Sequence, residues 1–569
     1  MVEVIIAVDV GSSSVKCNAY AYSVGDASSE DGAIASNGHS SEAPLDCLAQ
    51  NAKVMRAVQP QTGKVVALDQ IITAVEECIS NVLSSLDAAM GQDFSVVAVG
   101  FSSFTMNLIG LDAEGQPLGE EASISYACNT AEVVEEVERL KRELGQGEQR
   151  VLYQRTGTPI HGAYAMPQLR VMYERQRELC EKIHHWQPIS NLCIARWTGQ
   201  KAQGMPLSYC EASWTGLLNF RTCEYEPAAL ALLPSEACRR ALPRTVCDVD
   251  ESISSGLSSE YQSKWPQLAD ACFFLGVGDG AVANIGSKCV TPDRIACTIG
   301  TSAAARVCVP LPILPAEQEP EFSLQVPNGL FCYRIDRHHV LLGGALTDGG
   351  SAVEWIRQLL NLNDSKDFSE CIERVGEALK RAEEEAYQNT IEKSKPTLST
   401  VPFLSGERST GYRSGATGVL FGLTRDTTST DLVQSCLEGI TLRLGAIIDR
   451  IQQFVDPHGD EHSQDFRPQI IVSGKGLEVN RVWRQMIANC TGLETILDKS
   501  TFGGTCRGVA VLVLSKLNEA SSFPAEPVGG HGTLKYPPQP RSENYWKKLS
   551  EQQESLISAV SPLYGAGKS

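Results

Sequence analysis

The chain has 569 residues, more than a single hydrophobic core usually supports, so two large domains are expected. Apolar residues make up 42% and charged residues 21%, which excludes global disorder, a collagen-like repeat and a coiled coil. The formal net charge of −19, with no long Lys/Arg cluster, argues against a nucleic-acid partner or an anionic membrane surface.

Nineteen cysteines are spread from Cys17 to Cys506 with no C-x-x-C pair. Neither a disulfide framework nor a zinc site has that spacing, so they read as small buried hydrophobes in a reduced compartment. Met1 to Ile6 has no basic leader and enters a strand pattern at once. No apolar run approaches the ~18–20 residues of a membrane span. The expectation is a soluble, cytoplasmic protein.

Val4–Val10 is an almost wholly apolar run, the pattern of a strand covered on both faces. It ends in Asp9-Val10-Gly11-Ser12-Ser13-Ser14-Val15-Lys16, and Val15–Tyr22 returns as the second strand of a hairpin. Residues 23–45, rich in Ser, Gly, Ala and Asp, are expected to be an insertion with little structure of its own. A helix is predicted over Ile71–Leu86, a strand over Ser95–Gly100, and helices over Ala131–Leu144 and Met166–Ile183. Ala212–Gly216 reads as a helix end or loop. Apolar strands at Cys272–Leu275 and Ile295–Ile299 run into Gly276-Val277-Gly278-Asp279-Gly280-Ala281 and Gly300-Thr301-Ser302. Val340–Leu342 leads to a turn from Gly343-Gly344 to Gly349-Gly350 and a helix facing inward through Val353, Ile356 and Leu360. Ile470–Val472 leads to Ser473-Gly474-Lys475-Gly476 and a helix through Trp483, Met486 and Ile487. Alternating strands and helices indicate an α/β class. The strand-and-turn device at Gly11-Ser12-Ser13 recurs at Gly300-Thr301-Ser302, half a chain later, which suggests two similar lobes.

Turns of Gly, Ser and Thr let backbone N–H groups and hydroxyls approach a polyphosphate. Two such turns on facing lobes, with two further glycine turns, would suit a nucleotide in a cleft; each alone also reads as a plain strand connection. Asp9, at the end of a buried strand, is placed to hold Mg²⁺ through water. Asp279 sits between two glycines just after a strand, where phosphoryl transfer to an alcohol needs a base; a turn aspartate bonding its own backbone is the other reading. Gly276-x-Gly278-x-x-Ala281 imitates a dinucleotide fingerprint, but Asp279 occupies the pyrophosphate's approach. Gly565-Ala566-Gly567-Lys568-Ser569 imitates a phosphate loop without its first glycine or a following helix.

These segments, taken in order over roughly residues 3–515, resemble the FGGY family of carbohydrate kinases, and within it the gluconokinase branch. Asp9 to Lys16 is similar to the family's first phosphate motif, Gly278 to Gly286 to its catalytic-base motif, and Thr298 to Ser302 to its second phosphate motif. Gly343 to Gly350 and Phe403-Leu404-Ser405-Gly406-Glu407-Arg408 have the gluconokinase character. Gly418 to Glu438 follows the family signature with Cys436 as a deviation, and Ser473 to Trp483 resembles the adenosine-binding turn. The resemblance implies an α/β chain of two ribonuclease-H-like lobes of the actin/Hsp70/sugar-kinase type with the active site in the cleft between them. It implies lobes over 1–290 and 291–525 and a tail over 526–569. It implies ATP and Mg²⁺ as cofactors and a small-molecule sugar as substrate, and it sets no oligomeric state. By position it implies Asp279 as general base and Asp9 as the metal residue. Gly11, Ser12, Ser13, Ser14, Lys16, Gly300, Thr301, Gly350, Gly474 and Asn480 would meet the nucleotide, and Phe104, Met106, Asn107 and Asp279 the sugar.

The departures fall where the sugar should bind. Met106 stands where a histidine is usual, and Tyr126-Ala127-Cys128-Asn129-Thr130 stands where Trp-Ala-Asp-x-Arg is usual. A Lys-Glu/Asp-Tyr stretch near Ser190–Cys193 is shortened, and Lys475 replaces a glycine. The sugar site is therefore expected to be less charged than a gluconate site, unless Asn107, Glu211 or Gln168 supplies replacement hydrogen bonds. The function expected is an ATP-dependent kinase acting on a gluconate-like acid or a pentulose. The alternative is a non-catalytic nucleotide-binding relative acting as sensor or scaffold, against which the retention of Asp9 and Asp279 argues.

Overall fold

A computed structural model describes residues 1–22, 45–60, 62–251, 256–314, 325–388, 398–456, 467–499, 504–529 and 532–564. Residues 23–44 of the insertion expected at 23–45, and the phosphate-loop imitation at 565–569, lie outside the described residues.

Two sheets organise the chain. The first contains β1 (Val2–Val10), β2 (Ser14–Tyr22), β3 (Asp46–Val54), β4 (Phe94–Ser103), β5 (Cys272–Phe273) and β6 (Val277–Gly278), in the order β5-β4-β1-β2-β3, with β6 also on β4. β1 and β2 form an antiparallel hairpin and β2–β3 continues it, while β4 runs parallel to β1, and β5 and β6 parallel to β4. The second sheet contains β7 (Arg294–Ile299), β8 (Ala303–Pro310), β9 (Phe331–Arg334), β10 (His339–Leu346), β11 (Gln469–Ser473), β12 (Thr495–Leu497) and β13 (Leu534–Tyr536), in the order β9-β10-β8-β7-β11-β12-β13. It repeats the pattern: β7-β8 and β8-β10 are antiparallel, and β11 and β12 run parallel to β7. The two turns that repeat in sequence, at Gly11 and Gly300, are thus the β1–β2 and β7–β8 turns of a duplicated architecture.

The continuous apolar run of β1 follows from burial on both faces. Val4, Ile6 and Val8 pack with Ile71, Val75 and Ile79 of helix α1 (Leu68–Met90). Ile5 and Ala7 point to the other face, into a core shared with Ala304 and Leu341 of the second sheet. Between the sheets run helices α2 (Asp279–Gly286) and α3 (Gly504–Leu517). Their backbones touch: a Cβ on Gly286 would lie 1.8 Å from Gly504 O, and one on Gly508 1.8 Å from Val282 O. Only glycine permits that approach. Although α3 follows the second sheet's strands in sequence, Val509 and Val513 lie against Gly100 of β4, in the first sheet.

Other helices differ in detail from the pattern. The helix expected over Met166–Ile183 is two helices, Ala165–Arg175 and Arg177–Lys182, broken at Gln176. The one expected over Ala131–Leu144 continues to Thr156 across a kink at Gly145. Residues 526–569, read as a tail without chemistry, contribute strand β13 and an amphipathic helix, Glu543–Val560, whose Tyr545, Trp546 and Leu549 are buried in the second core. All nineteen cysteines are free. No helix among the described residues is long and apolar enough to cross a membrane.

Candidate active site

The segments that follow β4, β6 and β7 meet at one cavity, through Thr105, Asp279 and Ser302. Asp9 closes β1, and register places it opposite Lys16 on β2 and Ser102 on β4. Lys16 Nζ lies 3.3 Å from Asp9 Oδ2, and Ser102 Oγ donates to Oδ1 at 3.1 Å. Thr505 Oγ1, brought in by α3, donates to Oδ2 at 2.7 Å. Asp9 is thereby a buried carboxylate with partners from three segments.

β6 pairs Gly278 with Ser103, so Asp279 emerges where that strand ends and α2 begins. Its Oδ1 accepts from Gly280 N at 2.7 Å and from Thr105 Oγ1 at 3.3 Å. Desolvation, and next the negative charge of Asp9, push its carboxyl above the usual range, while Arg306 on β8 opposes them. Asp279 bonds its own turn through Oδ1, and Oδ2 has no donor among the described residues.

The nucleotide-type turns converge on the second sheet. Gly350 N donates to Gly300 O at 2.8 Å, and Gly349 N and Ser351 N both donate to Thr301 O at 3.0 Å. Thr298 sits beside Ser473, with their hydroxyls 2.9 Å apart, which aligns the turn at Gly474 with the turn at Gly300. Gly474 has φ 88°, and a Cβ there would lie 2.5 Å from Ile299 O, so glycine is required by both backbone and space. Asn480 caps the following helix, its Oδ1 accepting from Trp483 N at 3.0 Å. On the first sheet Gly11 N donates to Ser14 O at 2.9 Å, Ser13 is exposed, and Ser12 lies near the phenol of Tyr126.

A cavity of about 100 Å³ opens beside Asp279. Thr105, Tyr126 and Trp214 line it from the first lobe, and Arg306, Tyr333 and Arg408 from the second. Of the sugar-contact residues expected from sequence, only Asp279 lines it. Phe104 is buried edge-on against Tyr126, and Met106 is fully buried in the core at φ 54°. The Asn107 amide is spent on structure: Nδ2 donates to Ser103 Oγ at 2.9 Å and Phe104 O at 2.6 Å, and Oδ1 accepts from Ile189 N at 2.8 Å. The neighbouring Thr105 is the residue of that turn that reaches the site. Gln168 is likewise occupied by Ser125 O and Gly162 O, and Glu211 is buried beneath Gly276. The expectation of a weakly charged sugar site also needs correction. Three arginines, Arg306, Arg334 and Arg408, line the cavity from segments far from Met106, Cys128 and Thr130, so the charge lost at those positions does not measure the charge of the site. Arg306 and Trp214 carry no motif of their own, and Arg408 stood at the end of a motif without an assigned role.

Two family models cover most of the chain: the N-terminal domain of the FGGY family of carbohydrate kinases over residues 46–286, and its C-terminal domain over 295–516. A gluconokinase of Bacillus licheniformis is 24% identical over 460 residues, covering 79% of this chain and 80% of the relative. A xylulose kinase of Escherichia coli is 25% identical over 273 residues, covering 48% and 49%. Among solved structures, a gluconate kinase from Lactobacillus acidophilus superposes with a TM-score of 0.75 at 23% identity over 100% of both chains. A ligand-bound xylulose kinase from the same organism gives 0.74 at 22% identity over 99% of each.

Proposed function

From a chain that belongs to the FGGY family of carbohydrate kinases, we propose that the cleft transfers the γ-phosphoryl group of ATP to a hydroxyl of a polyol held in the cavity beside Asp279. The family membership makes the protein an ATP-dependent phosphotransferase acting on a sugar or sugar acid; the residue roles are our reading. The observation that carries them is the placement of Asp279. It is a carboxylate with one oxygen anchored and the other without a donor, at the wall of the cavity and on the side of the cleft facing the glycine turns.

In this reading the substrate hydroxyl gives its proton to Asp279 Oδ2 as its oxygen bonds to the γ-phosphorus. The bond between that phosphorus and the β–γ bridging oxygen breaks, and ADP leaves. A carboxyl held above its ordinary range accepts that proton more readily. Arg306 stabilises the ionised form, and Thr105 and Gly280 fix its orientation. The turns at Gly11–Ser14, Gly300–Thr301, Gly350 and Gly474 leave the phosphates room to approach; the Gly11, Gly300 and Gly350 N–H groups close the turns, so the contacts come from the neighbouring backbone and hydroxyls, with Lys16 at the edge. Asn480 acts through its helix cap, by holding the Gly474 turn in place.

A Mg²⁺ ion fits Asp9 in a limited way. No group of three or more His, Cys, Asp or Glu side chains among the described residues could hold a metal by itself. Mg²⁺ commonly keeps waters and phosphate oxygens and takes only one or two carboxylates, which is what Asp9 offers. When bound with the nucleotide, the ion neutralises phosphate charge. Free cysteines throughout the chain accord with a reducing, cytoplasmic setting.

The test is ADP release by the purified protein with ATP and Mg²⁺ over a panel of gluconate, ketoses and polyols. Release that depends on one of them is expected. ATP binding without polyol-dependent release would overturn the assigned roles.

A further inference from the structure

Phosphoryl transfer leaves Arg408, on the cavity wall, unexplained. Its Nε–H is shut off from solvent and has no acceptor. The adjacent carboxylate is not available to it, because Glu407 is taken by Arg413 and by Gly411 N, the latter at 3.0 Å. What surrounds Arg408 instead is phenolic. Its guanidinium lies 6.0 Å from the centre of the Tyr126 ring, and the charge is felt by Tyr164, Tyr333 and Tyr412. Those hydroxyls are engaged too: Tyr164 and Tyr333 bond each other at 2.8 Å, and Tyr412 accepts from Ser409 at 3.3 Å. A cation in such surroundings without an anion is costly unless a ligand supplies one.

The other cationic groups at the wall do not share this position. Arg334 is spent on the carbonyls of Phe220, Leu311, Arg221 and Pro312. Arg306 faces Asp279 and balances the base. Once that pair is set aside, Arg408 is the cation of the wall that has neither a carboxylate nor a set of carbonyls about it among the described residues. A second unmet donor lies on the same wall: Trp214, only 1% exposed, has an indole N–H with no partner. Two buried donors without acceptors, one of them charged, describe a ligand that brings acceptor oxygens and one negative charge.

We propose that Arg408, with Trp214 as a second donor, is the residue by which this cavity selects a polyol ending in a carboxylate over a neutral one. The inference rests on the kinase reading and goes beyond it, since the relatives divide between a sugar acid and neutral substrates such as xylulose and glycerol. Arg408 acts in binding, and the group that reacts is a hydroxyl at the other end of the chain, beside Asp279. The other source of an anion is the γ-phosphate of ATP, and the experiment separates the two.

The experiment uses the full-length protein and two readouts. Calorimetric titration without ATP measures binding of D-gluconate and of D-xylulose, and ADP release gives kcat/KM for each. Gluconate is expected to bind and to be preferred by about 100-fold, the scale of one buried, hydrogen-bonded charge partner. In Arg408→Gln that preference should fall by at least about 30-fold, and Arg408→Lys should recover part of it. Trp214→Phe should raise KM for both polyols. Equal or better use of xylulose by the unaltered protein overturns the inference while leaving the kinase reading intact, and does so even if the variants fail to fold. A rise in the KM for ATP in Arg408→Gln, with the gluconate preference retained, assigns the arginine to the nucleotide and overturns it as well. Gluconate bound tightly with no ADP formed would instead defeat the kinase reading and leave the carboxylate site standing.

Discussion

The turns at the ends of β7 and β11 are made of backbone, whereas the cavity beside Asp279 is made of side chains gathered from both lobes. In the turns, Gly350 approaches the carbonyl of Gly300, and Gly474 that of Ile299, so closely that a methyl group would collide. What they offer a ligand is backbone held in a fixed path with no side chain in the way. In the cavity, Thr105, Tyr126, Trp214, Arg306 and Arg408 come from five separate segments, and a change of residue alters the chemistry without altering the chain's path. The first construction suits a ligand part that never varies, the triphosphate; the second suits the part that distinguishes one relative from another. Substitutions in the two regions should therefore fail in different ways.

The largest effect is expected where the regions meet. Asp279→Asn keeps the shape and the Gly280 contact but cannot take the hydroxyl proton. Its kcat should fall ~10²–10⁴-fold with ATP affinity nearly unchanged. A variant with unaltered kcat would remove Asp279 from the chemistry. Asp9→Ala should also lower kcat, but with a raised Mg²⁺ requirement, because it removes the carboxylate on which Lys16, Ser102 and Thr505 converge. Titration of Mg²⁺ against rate distinguishes the two: an unchanged metal requirement in Asp9→Ala would move the metal elsewhere.

The same contrast explains what could be read from the sequence. A turn of Gly, Ser and Thr after an apolar strand advertises itself locally, so Gly11–Ser14, Gly300–Thr301 and Gly474 could be located from the residues alone. The repeat of that turn gave the duplication, and the apolar run of β1 foretold a strand buried on both faces. Asp279 was visible because glycines flank it. The cavity had no such signal: Arg306 is one residue in a strand of small apolar ones, and Trp214 sits in a short stretch that reads as a loop. Met106 and Asn107 were expected as contacts because the resemblance sets Met106 where a histidine is usual, but a one-residue difference in a turn decides which side chain reaches the cleft. Thr505 lies almost 500 residues from Asp9 in sequence, and only the glycine-mediated crossing of α2 and α3 brings it there.

A smaller effect is expected in the backbone-built region. Gly474→Ala places a Cβ against Ile299 O at a residue with φ 88°. The left-handed conformation costs a non-glycine residue ~1–2 kcal/mol, and the collision adds to it. The KM for ATP should rise by about tenfold, while the ratio of kcat/KM between gluconate and xylulose stays as it was. A change in that ratio with the KM for ATP constant would contradict the division of labour between turn and cavity.

The smallest effect concerns stability and lies beneath the cavity. Glu211 is fully buried, with Ser190 Oγ donating to Oε1 at 2.7 Å and Oε2 without a partner, and burial pushes its carboxyl from 4.5 up to about 8. The folded protein therefore holds a proton near neutrality that the unfolded chain has lost. Because the folded value is the higher one, the stabilisation is fully present below about 4.5, declines as pH rises, and is gone above about 8. Each pH unit between the two values corresponds to about 1.4 kcal/mol at most. Glu211→Gln replaces the protonated acid by a neutral group of the same shape and removes this dependence. Denaturant unfolding at pH 6 and pH 8.5 should show the variant gaining on the unaltered protein as pH rises, while other titrating groups cancel in the comparison. Since Glu211 lies outside the cavity, the gluconate preference should not follow. Parallel stability curves for the two proteins would mean that Glu211 is already ionised when folded.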